Sequence, residues 1–324
     1  MDRALIIGSA GQDGRLLSQR LQREGSTVVG IERGRLVCGR GAGPFKSPVD
    51  ILDAPVLDDL VARFAPDAVF YLAAYHHSAE DKSLPGDLEL YTRSHDVHVR
   101  GLIHALEAMR RHAPKSRLFY AASSHCFGEP PAAVQDENTP LRPRCVYGIT
   151  KTAGVGLCRM YRANHCIAAS AGFFYNHESA LRAPKFLPTK IVRAAVEVAG
   201  GRRDKLVLGD LSARVDWGFA PDYVDAMIRI LRLATADDFV IATGEAHSVE
   251  EFVAIAFARA GADWRRHVEV EPAIIGKPRT TLVGDSRKLR TATGWSPSVS
   301  FRQMVELLVD TEIARVSNKA LIDV

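Results

Sequence analysis

Apolar residues in the first half of the chain fall into short unbroken runs. Each run precedes a longer stretch whose apolar positions lie three and four apart. Residues 5–7 (Leu-Ile-Ile), 27–31, 68–74 and 117–122 read as strands buried on both faces. Helical spacing follows at Leu16, Leu17 and Leu21, then at residues 57–64, 88–111 and 147–164. In the third of these helices Leu102, Ile103, Leu106 and Met109 point inward. Strand and helix in alternation predict an α/β protein, a doubly wound parallel sheet with helices on both faces. The rhythm changes near residue 176, where Pro184 and Pro188 interrupt. A helix over 190–200 and a short strand at 206–208 follow. A helix over 222–233 and a strand over 239–243 return to the sheet. Helices over 250–260 and 301–314 build a smaller C-terminal lobe.

The first strand runs directly into Gly8, Gly11 and Gly14, and then into a helix. Strand, glycine turn and helix form the setting in which a backbone holds a dinucleotide. Gly8 permits the tight turn, Gly11 lets a pyrophosphate approach, and the helix N-terminus offers N–H groups to the anion. Gln12 and Asp13 sit inside the turn. Glu32 ends the second strand. An acidic side chain there accepts hydrogen bonds from a ribose and repels a 2′-phosphate, which favours NAD. Arg33 and Arg35 follow it and could welcome that phosphate, which keeps NADP open. The expected division is therefore a dinucleotide-binding domain over 1–175 with 214–243, and a substrate lobe over 176–213 and 244–324.

Tyr147 and Lys151 lie four apart on a predicted helix and so share a face. A phenol ionises near pH ~10, and a neighbouring ammonium favours the phenolate. A tyrosine so placed can exchange a proton with a substrate hydroxyl during hydride transfer.

Composition narrows the partners. The net charge of +4 is spread along the chain, and the basic residues near Arg33, Arg35 and Arg40 have no interleaved aromatics, so nucleic acid is not expected. No apolar run approaches the ~18 residues of a membrane span. Five cysteines without a Cys-x-x-Cys spacing fit a reduced, cytoplasmic compartment. No metal is expected: His76 and His77 are adjacent, and His95 and His98 read as a solvated helix face without a third ligand. Cys126 reads as a small buried residue, and the glycine-rich basic stretch 34–47 as a mobile loop.

With these segments placed, the chain resembles the extended short-chain dehydrogenase/reductase family, and within it the GDP-mannose 4,6-dehydratases. The resemblance rests on Gly8-Ser-Ala-Gly11-Gln-Asp-Gly14, Asp50-Ile-Leu-Asp53, Tyr147-Gly-Ile-Thr-Lys151, Tyr175-Asn-His-Glu-Ser179 and Asp216-Trp-Gly. It implies a Rossmann sheet, a GDP-linked nucleotide-sugar substrate and a nicotinamide cofactor, NADP by family habit. It implies oxidation at C4, loss of water across C5 and C6, and return of the hydride at C6. Tyr147 would be the base at the C4 hydroxyl, Lys151 its activator and ribose ligand, and Ser123 the hydroxyl that polarises the C4 oxygen. Asp50, Ile51, Leu72, Ala73, Ala74 and His177 would line the cofactor; Ser124, Asn176 and Lys190 would meet the substrate. The two long helices, 88–111 and 147–164, would pair subunits into a homodimer or homotetramer.

Three departures bear on the substrate and the reaction. His125 stands where the family places a glutamate base for the C5 proton. Imidazole, with a reference pKa near ~6.5, can move that proton, can serve an epimerase instead, or can merely line the pocket and leave a 4-ketoreductase. Val215 occupies the slot of a diphosphate-gripping arginine, with Arg214 one place earlier. Arg279 is the stand-in for a second substrate arginine.

Overall fold

The computed structural model describes residues 1–33, 35–39, 45, 49–75, 86–271 and 280–317. The chain opens with β1 (Arg3–Ile7), α1 (Gln12–Arg23), β2 (Thr27–Glu32), β3 (Arg35–Cys38), α2 (Ala54–Phe64) and β4 (Ala68–Tyr71). Next, α3 (Asp87–His95) passes through a π-helical turn, Asp96–Arg100, into α4 (Gly101–His112). Then come β5 (Arg117–Ser123), a 3-10 turn at Ser124–Cys126, β6 (Val134–Gln135), α5 (Val146–His165) and β7 (Ala168–Phe174). The second half holds β8 (Asn176–Glu178), α6 (Leu187–Ala199), β9 (Leu206–Leu208), β10 (Arg214–Phe219), α7 (Ala220–Arg232) and β11 (Phe239–Ile241). It closes with β12 (Ala246–Ser248), α8 (Val249–Ala260), β13 (Val268–Val270), β14 (Val283–Gly284), α9 (Arg287–Thr293) and α10 (Phe301–Val316).

Seven strands form the main sheet in the order β11-β7-β5-β4-β1-β2-β3. All pair in parallel except β3, which runs antiparallel to β2. Side-chain alternation along β1 sends Leu5 and Ile7 into one core with α2, α4 and α5, and Ala4 and Ile6 into another with α1 and α7. This is the physical content of the unbroken apolar runs: a strand covered by helices on both faces has no polar side. The chain order reverses between β1 and β4, which opens a crevice at the C-terminal ends of these two strands. A third core lies in the C-terminal half, where α6, α8 and α10 enclose Trp217, Phe252, Phe257 and Met304. Among the described residues no helix is long and apolar enough to cross a membrane.

Two expectations need correction. Residues 35–38 are not loop but an edge strand, with Leu36 packed inward and Arg35 and Val37 outward. The flanking glycines mask that short alternation in the sequence, and the arginine suits an exposed edge. The stretch 88–111 is not one regular α-helix. The π-turn inserts a residue and rotates the phase of everything after it. His98, within that turn, is fully buried rather than on a solvated face.

Candidate active site

The glycine turn is tightly built. Gly8 adopts φ +97°, and a Cβ there would lie 2.6 Å from the backbone nitrogen of Ala73. The turn is held by Gly8 N–H donating to the Ile31 carbonyl (2.8 Å), while Leu72 N–H donates to that of Ile7 (2.8 Å). Thus Leu72, Ala73 and the exposed Ala74 continue from β4 beside the turn. Gly11 is the N-cap of α1 and brings no capping side chain, so the first helical N–H groups are available to an anion. Glu32 ends β2 and faces Arg35 across the β2–β3 pair; Arg33 between them is exposed. Asp50 is exposed and accepts from Leu52 N–H (2.9 Å), and the Ile51 carbonyl accepts from His104 Nδ1 (2.9 Å), which ties this loop to α4. These features fit a dinucleotide: a tight backbone turn, an uncapped helix N-terminus, and ribose-binding chemistry at the end of the second strand.

The chemical groups converge at the end of β5, on the far side of β4 from β1. Ser123 ends β5 and is buried; its Oγ accepts from the backbone N–H of His125 (3.2 Å). Ser124 is buried in the 3-10 turn, and His125 is exposed. Helix α5 presses on that turn. A Cβ at Gly148 would lie 2.5 Å from the His125 carbonyl oxygen, so only glycine permits the approach. Tyr147 is therefore enclosed by two imidazoles edge to face, His98 at 5.2 Å and His125 at 5.9 Å between ring centroids. Lys151 lies one turn along, fully buried, with Nζ 5.8 Å from the Tyr147 ring and 4.9 Å from that of Tyr120. Its ammonium donates to the Ala121 carbonyl at 2.7 Å.

The electrostatics depart from the expectation of a lysine-acidified phenol. Burial pushes the Tyr147 phenol up, and the cation that opposes this is Arg182. Burial likewise lowers Lys151 to about 7. Removing both groups from water disfavours both charged forms, and that cost outweighs their proximity. Sequence spacing places the pair on one face but carries no information on how dry that face is.

Three further residues escaped the sequence reading. His98 Nε2 accepts from Tyr75 N–H (3.0 Å), so its Nδ1 carries the proton and donates to Thr150 Oγ1 (2.8 Å). Thr150 in turn donates to the Val146 carbonyl (2.9 Å), which locks His98 to the first turn of α5. Arg182 Nε lies 3.4 Å from the buried carboxylate of Glu178, and its guanidinium covers Phe186 at 3.8 Å. Cys145, the N-cap of α5, places its Sγ 3.8 Å from His125 Nδ1.

The residues after the glycine turn reach across to β8. His177 donates through Nδ1 to the Tyr175 carbonyl (2.7 Å) and through Nε2 to Asp13 (3.0 Å), and it stacks on Tyr223 at 4.4 Å. Two acceptors require a doubly protonated ring. Burial opposes that charge, but Asp13 outweighs it and holds the imidazole above its ordinary value. The Asp13 carboxyl is held low by the same pair, against its own burial. Gln12 donates to the His177 carbonyl (3.1 Å) and accepts from Ser179 Oγ (2.8 Å). The side chains of Gln12 and Asp13 thus clamp the glycine turn to β8.

The remaining substrate candidates lie on lobe elements. Asn176 is exposed at the start of β8, opposite Trp217 of β10, and Lys190 is partly buried in the first turn of α6. Arg214 is exposed, and its guanidinium donates to the Ala246 carbonyl; Val215 is partly buried against the lobe core. Asp216 is buried and accepts from the N–H groups of Thr243 (3.0 Å), Gly244 (3.1 Å) and Gly284 (3.2 Å), gathering two loops. Arg279, His76 and His77 lie outside the described residues. Cys126 is buried, and burial pushes its thiol up.

A family model described as GDP-mannose 4,6 dehydratase matches residues 5–308. The chain belongs to that family. GDP-mannose 4,6 dehydratase 2 of Arabidopsis thaliana is 35% identical to it, over 99% of this chain and 89% of that one. GDP-mannose 4,6 dehydratase of Homo sapiens is 31% identical, over 98% and 93%. Among solved structures, RMD from Pseudomonas aeruginosa complexed with NADPH superposes with a TM-score of 0.81 at 19% identity, covering 97% of this chain and 100% of that one. The dTDP-glucose 4,6-dehydratase from Bacillus anthracis in complex with NAD superposes with a TM-score of 0.80 at 16% identity, covering 99% and 98%. At these identities the structural likeness carries the fold, the Rossmann α/β architecture. The GDP-mannose 4,6-dehydratase family match carries the kinship, and this member carries an imidazole at position 125 beside its tyrosine.

Proposed function

We propose that this protein is a nucleotide-sugar 4,6-dehydratase acting on GDP-mannose with NADP(H). The observation that carries the reading is the convergence of Ser123, His125, Tyr147 and Lys151 at one end of β5, next to a dinucleotide turn, in a chain of this family. Bound there, the nicotinamide would accept a hydride from C4 of the sugar and return it at C6. Burial holds the Tyr147 phenol up in the cofactor-free protein; the positive charge of an oxidised nicotinamide bound beside it would oppose that, so that Tyr147 takes the proton of the C4 hydroxyl while the Ser123 hydroxyl donates to the same oxygen. The C4 ketone acidifies the C5 proton, which moves to His125 as the C–H electron pair becomes the enolate. The imidazolium gives that proton to the C6 hydroxyl as the C6–O bond breaks, water leaves and the C5=C6 bond forms; as the hydride would come back to C6, C5 takes a solvent-derived proton through His125 and the 4-keto sugar is complete. Imidazole titrates near ~6.5 and can serve both steps at neutral pH.

Arg33 in the β2–β3 turn and Arg35 at the start of β3 support NADP(H) over NAD(H), against the carboxylate of Glu32. Leu88 (81% exposed) and Tyr91 (46%) on α3, with Ile149 (44%) on α5, leave an apolar strip on two touching helices. That strip supports pairing with a second copy of the chain, a homodimer by this face. All five cysteines are free, which supports a reducing, cytoplasmic setting.

The test is incubation with GDP-mannose and NADP(H) in heavy water. The expected product has lost one water and carries deuterium at C5. Hydride transfer without loss of water would replace this reading with a 4-ketoreductase; C5 inversion without loss of water would replace it with an epimerase.

A further inference from the structure

Cys145 lies twenty residues from His125 in sequence, yet its sulfur is 3.8 Å from His125 Nδ1. Both side chains are exposed, so the contact is not an accident of core packing. The backbone fixes each partner. Cys145 is the N-cap of α5, where its Sγ also accepts the Gly148 N–H at 3.4 Å. His125 is held by its N–H to Ser123 and by the close passage of its carbonyl over Gly148. A sulfur at a helix N-terminus faces unpaired backbone N–H groups and so acts as an acceptor there.

We propose that Cys145 is a positioning residue for the proton chemistry of this site: its sulfur receives the Nδ1–H of His125 and so leaves the lone pair on Nε2. This deepens the dehydratase reading and rests on it. A neutral imidazole has one N–H and one lone pair, and only the tautomer with the lone pair towards the sugar can remove the C5 proton. In that step the C5–H bond breaks, Nε2–H forms, and the electron pair passes to the C4–C5 enolate. The charge on the resulting imidazolium is shared with the sulfur at Nδ1. With that acceptor in place the productive tautomer is favoured over the other, which is inert in this step.

The test separates C4 oxidation from C5 proton transfer, using GDP-mannose and NADP in heavy water. In Cys145→Ala the absorbance transient of C4 oxidation is expected within twofold of the wild type, while deuterium entry at C5 falls about tenfold, the scale of a misdirected general base. Cys145→Ser, whose hydroxyl also accepts Nδ1–H, restores exchange to within threefold. A residue that only stabilises the fold would lower both steps together. A second measurement needs neither sugar nor cofactor. Iodoacetamide labelling, read peptide by peptide, compares the wild type with His125→Ala at pH 7. Cys145 labelling is expected to slow at least threefold without the imidazole N–H, and Cys166, also exposed, serves as the unchanged control. Unchanged labelling of Cys145, or unchanged C5 exchange in Cys145→Ala, overturns the proposal. A wild type that oxidises C4 but never exchanges C5 sinks the dehydratase reading instead, and the labelling comparison still decides whether sulfur and imidazole are coupled.

Discussion

The Asp13–His177 pair joins the glycine turn to β8 over a sequence separation of 164 residues, and Asp13→Ala tests what it is worth. Removing one partner of a buried ion pair costs about 3–5 kcal/mol, because the survivor is left charged or must neutralise. The Asp13 side chain keeps 21% of its surface and His177 9%, so water tempers the loss to about 2–3 kcal/mol. For a chain of this length that corresponds to a fall in Tm on the order of 5 °C. The pH dependence has a definite sign. Asp13 is lowered in the folded state, so its contribution is present above the unfolded carboxyl value near ~3.8 and fades as pH falls through the lower folded value. His177 is raised, so its contribution is full below the unfolded value near ~6.5 and fades as pH rises through the higher folded value. The Tm gap between wild type and Asp13→Ala should therefore be widest between about pH 4 and 6.5 and narrow at both ends. Calorimetric scans from about pH 2.5 to 9 on the wild type, Asp13→Ala, His177→Ala and the double variant cover both ends and measure the coupling directly. Single variants within 1 °C of the wild type, or additive losses in the double, would refute the pairing argument.

Other consequences follow from the same geometry. Lys151→Met should raise the Tm of the cofactor-free protein, since the buried ammonium, brought down to about 7, opposes folding. That advantage should shrink from pH 7 towards pH ~10, where the unfolded lysine also loses its proton; a gap constant with pH would contradict it. His98→Leu strips the acceptor from Tyr75 N–H and the donor to Thr150, an expected loss of about 1–3 kcal/mol. It should also lower kcat far more than it raises KM, as steady-state kinetics would reveal. Gly148→Ala drives a methyl group to 2.5 Å from the His125 carbonyl; the shift of α5 should cost activity at least tenfold, with folding checked by circular dichroism.

The division between local and tertiary information falls along physical lines. Apolar runs covered on both faces, the glycine turn before α1 and the four-residue step from Tyr147 to Lys151 are fixed by backbone periods of two and 3.6, so they are legible in the sequence alone. The rest depends on which distant surfaces meet. His98, expected on a solvated face, lies in the π-turn at Asp96–Arg100 and packs edge to face on Tyr147. That the side chains of Asp13 and Gln12 also tie the glycine turn to β8 emerges only once β8 is packed beside them. Cys126 draws attention next to His125 in sequence, yet the sulfur in contact is Cys145, delivered by the N-cap of another helix. The pKa values of Tyr147 and Lys151 belong wholly to the tertiary structure, because desolvation is a property of the packed site and not of spacing.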